Sequence, residues 1–185
     1  MRGGPVRREA GGRCRSDATA SDAHGERDGR SGYDYLVTTL RVPPSRIAIF
    51  GWSLGTAVAV DLASHVPCAA VMLEGAPASL VDIGRLRYPF IPIRLVMRNP
   101  FDSILKIGAI HAPLLFLHSP EDAVVPIAEG RRLFAAAHDP KEFVEVQGGH
   151  VNAAERDPRF FEYVRQFLME RRMSAVSSQS LLAGR

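Results

Sequence analysis

Cysteine is scarce in this chain, with two in 185 residues. Cys14 lies in a polar stretch and Cys68 heads the apolar run Ala69 to Leu73, so a disulfide framework is not indicated. Neither belongs to a CxxC pair, and none of the six histidines stands at a metal-ligand spacing such as HExxH. No metal and no other cofactor is expected. A run of about eighteen apolar residues is also missing, because Glu74, Arg94 and Arg98 interrupt the candidates, and no membrane span is expected. Arg2 to Arg15 lacks the apolar stretch of a signal peptide, and a cytoplasmic location is expected. An excess of one charge is absent too. The formal net charge of +3 comes partly from arginines in the first thirty residues and gives no reason to expect nucleic acid.

Large apolar residues are almost absent from Met1 to Ser31, which cannot bury enough surface to order itself and is read as a disordered tail. The Ser-rich end, residues 173–185, is read the same way. Residues 32–172 then form one domain of ordinary globular composition, and no internal repeat is visible.

Within that domain, Gly51-Trp52-Ser53-Leu54-Gly55 sits between the apolar run Arg46 to Phe50 and the Ala/Val/Leu-rich run Thr56 to Ala63. The pattern predicts a strand, a sharp turn and a helix, with a serine at the tip. A serine is a weak nucleophile unless it is held exposed beside a base. The two glycines fit a turn whose flanking backbones approach too closely for a Cβ. The plainer role for Ser53 is a helix N-cap, which does not require glycines on both sides.

A base and an orienting carboxylate follow downstream. Pro113 to His118 reads as a buried strand that empties into Ser119-Pro120-Glu121-Asp122, and Phe143 to Val146 as a strand that runs into Gln147-Gly148-Gly149-His150. The order is therefore Ser53, Asp122, His150. Asp122 also suits an N-cap or Asx-turn before the helix near Pro126. Glu121 is the adjacent substitute, and Glu74, at the end of Val71-Met72-Leu73, is a second carboxylate at a strand terminus. His118 is expected to be a structural hydrogen-bonding residue under the acid loop. His24, His65, His111 and His138 read as surface positions.

From about Gly32 to Phe167 the chain resembles the C-terminal half of an α/β-hydrolase, in particular its esterase, thioesterase and serine-aminopeptidase-like members. The resemblance rests on Tyr33 to Leu36, Arg46 to Gly55, Ala112 to His118, Asp122 to Pro126 and Gly148 to Asn152. Ser119-Pro120 departs from the glycine usual after such a histidine. The resemblance implies an α/β fold with a parallel sheet, flanking helices and a small cap segment. It also implies a Ser53–His150–Asp122 triad, with the Leu54 backbone N–H as an oxyanion donor. The expected partner is a small-molecule ester or acyl substrate.

The elements expected are a helix ending over Tyr33 to Thr39, the Ile47 strand, helix Thr56 to Ser64, strand Ala69 to Glu74, strand Leu114 to His118, helix Ile127 to Ala137, strand Glu142 to Val146 and helix Pro158 to Arg171. Ser79 to Gly108, rich in apolar residues such as Tyr88, Phe90, Ile91, Ile93, Leu95, Val96 and Met97, is either a pocket-shaping cap or plain packing. Arg85, Arg87, Arg94 and Arg98 either meet an anionic substrate or solvate that face. About fifty residues precede Ser53, so the strands that the resemblance places before the nucleophile are expected to be absent. His24-Gly25 lies too close to Ser53 to serve as their HG loop. The Ile47 strand would then be an apolar edge open to self-association. Two readings follow: a serine hydrolase cleaving an ester or thioester, with peptidase activity as its variant, or a catalytically silent hydrolase-like fragment.

Overall fold

The computed structural model describes residues 22–88, 90–91 and 102–170. Four strands, β1 (Ala48–Trp52), β2 (Ala70–Glu74), β3 (Leu114–His118) and β4 (Lys141–Glu145), form one parallel sheet in the order β1-β2-β3-β4. Parallel strands need crossovers long enough to hold helices. These are supplied by α2 (Gly55–His65) after β1, α3 (Leu80–Arg87) and α4 (Ser103–Lys106) between β2 and β3, and α5 (Ile127–Ala136) after β3. α1 (Asp22–Asp34) precedes the sheet, while α6 (Ala153–Arg156) and a helix over residues 160–170, here α7, follow it. Among the described residues no helix is long and apolar enough to cross a membrane.

Burial follows strand position. β3 is buried along its whole length and β2 along all but its last residue, as expected for strands covered on both faces. β1 alternates, with Ile49 buried while Phe50 and Trp52 are 49% and 44% exposed. It is one edge of the sheet. On one face Ile49, Val71, Leu73, Leu114 and Phe116 pack with Ala59 and Val60 of α2 and Leu133 of α5. On the other, Ala70, Met72, Leu115 and Leu117 pack with Phe160 and Phe167 of α7. Each buried phenylalanine there contributes about 1.5–3 kcal/mol.

The strands and main helices lie within a residue or two of their expected places. Residues 22–31 do not match their reading as tail, because they are helical in α1. α1 has few apolar groups of its own and is held by tertiary contact. Tyr33 is buried and its hydroxyl donates to the Pro67 carbonyl at 2.7 Å. Gly29 lies so close to α2 that an added Cβ would come within 3.2 Å of Val58 Cγ1. Residues 1–21 and 173–185 lie outside the described residues.

At the base of the segment read as cap or packing, Ser79 Oγ donates to Asp102 Oδ1 at 2.5 Å and the Ile104 N–H donates to the Ala78 carbonyl at 3.0 Å, so its two ends are tied together. Arg132 of α5 holds Asp82 of α3 at 2.8 Å. Tyr88 and Phe90 are exposed. Ile93, Leu95, Val96, Met97, Arg94 and Arg98 lie outside the described residues.

Candidate active site

The register sets the carboxyl ends of the strands side by side: Trp52 opposite Glu74, Glu74 opposite Leu117, and His118 opposite Glu145. Loops leaving those ends therefore converge, as ligand sites do in open α/β sheets. Ser53 follows β1, Asp122 follows β3, and His150 follows β4.

Ser53 has φ +52°, a left-handed conformation that strains a non-glycine residue by about 1–3 kcal/mol. The turn is held by the Ser53 N–H donating to the Glu74 carbonyl at 2.9 Å. The Ser53 carbonyl in turn accepts both the N–H and the hydroxyl of Thr56, at 3.0 and 2.6 Å. Gly51 is a steric necessity, since an added Cβ would lie 2.6 Å from the Gly55 carbonyl oxygen and 2.7 Å from Thr56 Cα. At Gly55 a Cβ would meet nothing within 4 Å. The expectation that close backbone approach demands both glycines therefore holds for Gly51 alone.

Ser53 Oγ lies 2.6 Å from His150 Nε2, and His150 Nδ1 lies 2.8 Å from Asp122 Oδ2. A carboxylate only accepts, so Nδ1 carries the proton and Nε2 is free to accept from the serine hydroxyl. The other Asp122 oxygen accepts the N–H groups of Val124 and Val125 at 2.9 and 2.8 Å, an Asx-type arrangement that aims the carboxylate at the imidazole. The arrangement can withdraw a proton from Ser53, hold it on His150, and stabilise the resulting imidazolium with a buried carboxylate. Leu54 is the N-cap residue of α2, in the first turn, where backbone N–H groups have no intrahelical acceptor.

The alternative carboxylates fall out on geometry. Glu121 is exposed, and its N–H donates to Ser119 Oγ at 3.0 Å. Glu74 is half-buried beside His150. Burial pushes its carboxyl above the ordinary range, and His150 partly offsets this. The imidazole hydrogen bond goes to Asp122.

His118 is 2% exposed and donates from Nε2 to the Val125 carbonyl at 2.9 Å, with Asp122 Oδ2 3.7 Å away. Burial pushes it below the ordinary histidine value, against the Val125 bond and Asp122, so it braces the acid loop as a neutral ring. His65, His111 and His138 are exposed.

The chain is 40% identical over 145 residues to an uncharacterized protein of Mycobacterium tuberculosis, covering 77% of this chain and 52% of that one. It is 31% identical over 135 residues to human alpha/beta hydrolase domain-containing protein 17B, covering 73% of this chain and 46% of that one. The structure of an esterase domain from a Rhodothermus marinus protein superposes with a TM-score of 0.54 at 28% identity, over 68% of this chain and 58% of that one. This chain belongs to the α/β-hydrolase superfamily. It spans about half the length of the curated relatives it matches. No protein-family model matches it.

Sequence reasoning missed three residues at this α/β-hydrolase site. Gly75, with φ +59°, lies beneath the acid–base pair, and a Cβ there would come within 3.5 Å of both Asp122 Oδ2 and His150 Nδ1. A glycine directly after a buried strand was the available signal. Ser119, the departure from the superfamily's usual glycine, is buried and donates its hydroxyl to the Gly148 carbonyl, joining the acid loop to the His150 loop. Trp52 donates its indole N–H to the His150 carbonyl at 3.0 Å. No local pattern announces either of these long-range bonds.

The His118 brace depends on a gap in α5. A Cβ at Gly130 would lie 2.2 Å from His118 Nδ1, and the ring cannot retreat because it is stacked on Phe143 with centroids 6.5 Å apart. Gly130→Ala is therefore expected to cost about 1–3 kcal/mol as overpacking. Urea unfolding should show a lower midpoint at unchanged slope, and an unshifted midpoint would mean that the acid loop yields freely.

Proposed function

We propose that this chain is a serine hydrolase that cleaves a carboxylic ester or thioester. Ser53 Oγ attacks the carbonyl carbon, and His150 Nε2 takes the serine proton and returns it to the leaving group. Asp122 orients the imidazole and balances its charge. The Leu54 N–H, at the head of α2, stabilises the oxyanion that forms as the carbonyl bond opens. Water then repeats the sequence on the acyl-enzyme, with His150 as its base.

The observation that carries this reading is the continuous Ser53–His150–Asp122 hydrogen-bond chain, headed by a serine in left-handed backbone. A helix N-cap or a surface serine has no use for that combination, whereas an activated nucleophile needs both its base and its exposure. The esterase domain of the Rhodothermus marinus relative supports the ester class.

A fluorophosphonate probe tests the nucleophile directly. Labelling at Ser53 that vanishes in Ser53→Ala and falls steeply in His150→Gln is the expected result, read by intact mass and peptide mapping. Labelling that persists in Ser53→Ala would overturn the assignment.

A further inference from the structure

Besides the Gln147 N–H, which donates to Asp157 Oδ2 at 3.0 Å, three hydrogen bonds tie down the His150 loop. Ser119 Oγ donates to the Gly148 carbonyl, the Gly149 N–H donates to Asn152 Oδ1 at 2.7 Å, and Trp52 Nε1 donates to the His150 carbonyl at 3.0 Å. The first bond joins the loop to the acid loop and the second joins it to itself. The third alone comes from the serine turn, since Trp52 immediately precedes Ser53 in the chain. The indole and imidazole rings also lie close, with centroids 5.9 Å apart and planes 32° apart.

The geometry points to Trp52 as a positioning residue for the His150–Ser53 pair, an inference that rests on the serine-hydrolase reading above. The 2.6 Å contact between Ser53 Oγ and His150 Nε2 joins two rotatable side chains and by itself does not set how far apart their backbones stand. Trp52 does so, because its rigid indole spans from the backbone of the serine turn to the backbone carbonyl of the base. Trp52 is 44% exposed, so water can replace its N–H as a donor if the indole is removed. Water satisfies the carbonyl but cannot hold it at a set height over Ser53. Removing the donor should therefore leave stability nearly untouched while loosening the reacting pair. A misplacement of about 1 Å is enough to cost roughly a hundredfold in rate.

Trp52→Phe keeps an aromatic ring and deletes the donor. In the full chain, phosphonylation of Ser53 and kcat on p-nitrophenyl acetate are expected to fall roughly tenfold to a hundredfold, with KM and the urea midpoint nearly unchanged. A rate equal to wild type, or a rate loss that tracks an equal loss of stability, would overturn the inference.

A second readout does not depend on activity. Trp52 is the only tryptophan in the chain, so a nitrogen-15 spectrum holds a single indole N–H signal. Its exchange with water should be slower than that of an open indole. Exchange at the open rate would show that the bond is not kept in solution, which defeats the positioning role even if Ser53 reacts. A protected indole on a chain whose Ser53 never labels would instead defeat the hydrolase reading that the inference rests on.

Discussion

Gly51→Ala is expected to unfold the serine turn, whereas Gly55→Ala leaves it intact. At residue 51 the new methyl meets the Gly55 carbonyl oxygen at 2.6 Å, Thr56 Cα at 2.7 Å and the Ala59 side chain at 2.8 Å. Two of those three are backbone atoms of the helix that follows. Relief requires α2 to lift away from β1, which would strip contacts from the buried Ala59, Val60 and Ala63. A cost of about 3 kcal/mol or more follows from overpacking of this kind, with Ser53 displaced and its labelling lost. Gly55 opens α2 with free space around it, so alanine there should be neutral or should stabilise by up to about 1 kcal/mol through its better helix propensity. Urea midpoints and Ser53 labelling rates of the two variants, measured side by side, check this. Equal losses in both would mean that the second glycine has a role its surroundings do not reveal.

Asp122→Asn should lower kcat by about four orders of magnitude, while Glu74→Gln should retain most of the activity. Asn at residue 122 can donate to the imidazole, favouring the tautomer whose proton sits on Nε2, where the serine proton must go. Glu74 reaches His150 only through space, without the hydrogen bond that selects the tautomer. The stability effects should run differently. Burial raises the Glu74 carboxyl in the folded chain above its unfolded value, so the unfolded chain releases that proton more readily. This contribution to stability is present at acid pH and is lost as pH rises through the carboxylate range. Glu74→Gln should therefore hold its unfolding midpoint better than wild type from acid to neutral pH. Single-turnover kinetics and urea melts at two pH values read both effects. A larger kcat loss in Glu74→Gln than in Asp122→Asn would transfer the orienting role to β2.

The parts of the site that could be read in advance are those written in short stretches of chain. Strand, turn and helix around Ser53 follow from an apolar run, a glycine-flanked serine and a helix-forming run, all within about twenty residues. The strand before Asp122 and the strand before His150 announce themselves in the same way, as brief apolar or alternating runs that end in turn residues. Helix α1 did so only at its end near Tyr33; its residues 22–31 did not, because they favour solvent and their order comes from Tyr33 reaching Pro67 and from the close approach at Gly29.

The sequence by itself determined the class of fold, the order Ser53, Asp122, His150 and the place of each at a strand's carboxyl end, because hydrophobic period and turn chemistry are local. Only the tertiary structure decided among contacts between distant segments. Asp122 rather than Glu74 meets His150, since the Val124 and Val125 N–H groups turn its carboxylate toward the ring. Gly51 rather than Gly55 is sterically required, since the helix backbone crosses over only the first. Trp52 holds a carbonyl 98 residues away. In each case the outcome depends on distances set to within a few tenths of an ångström, between atoms far apart in the chain for Asp122 and Trp52 and between a strand and the helix after it for Gly51. Composition and spacing carry no record of such distances, and close packing allows only one arrangement of them.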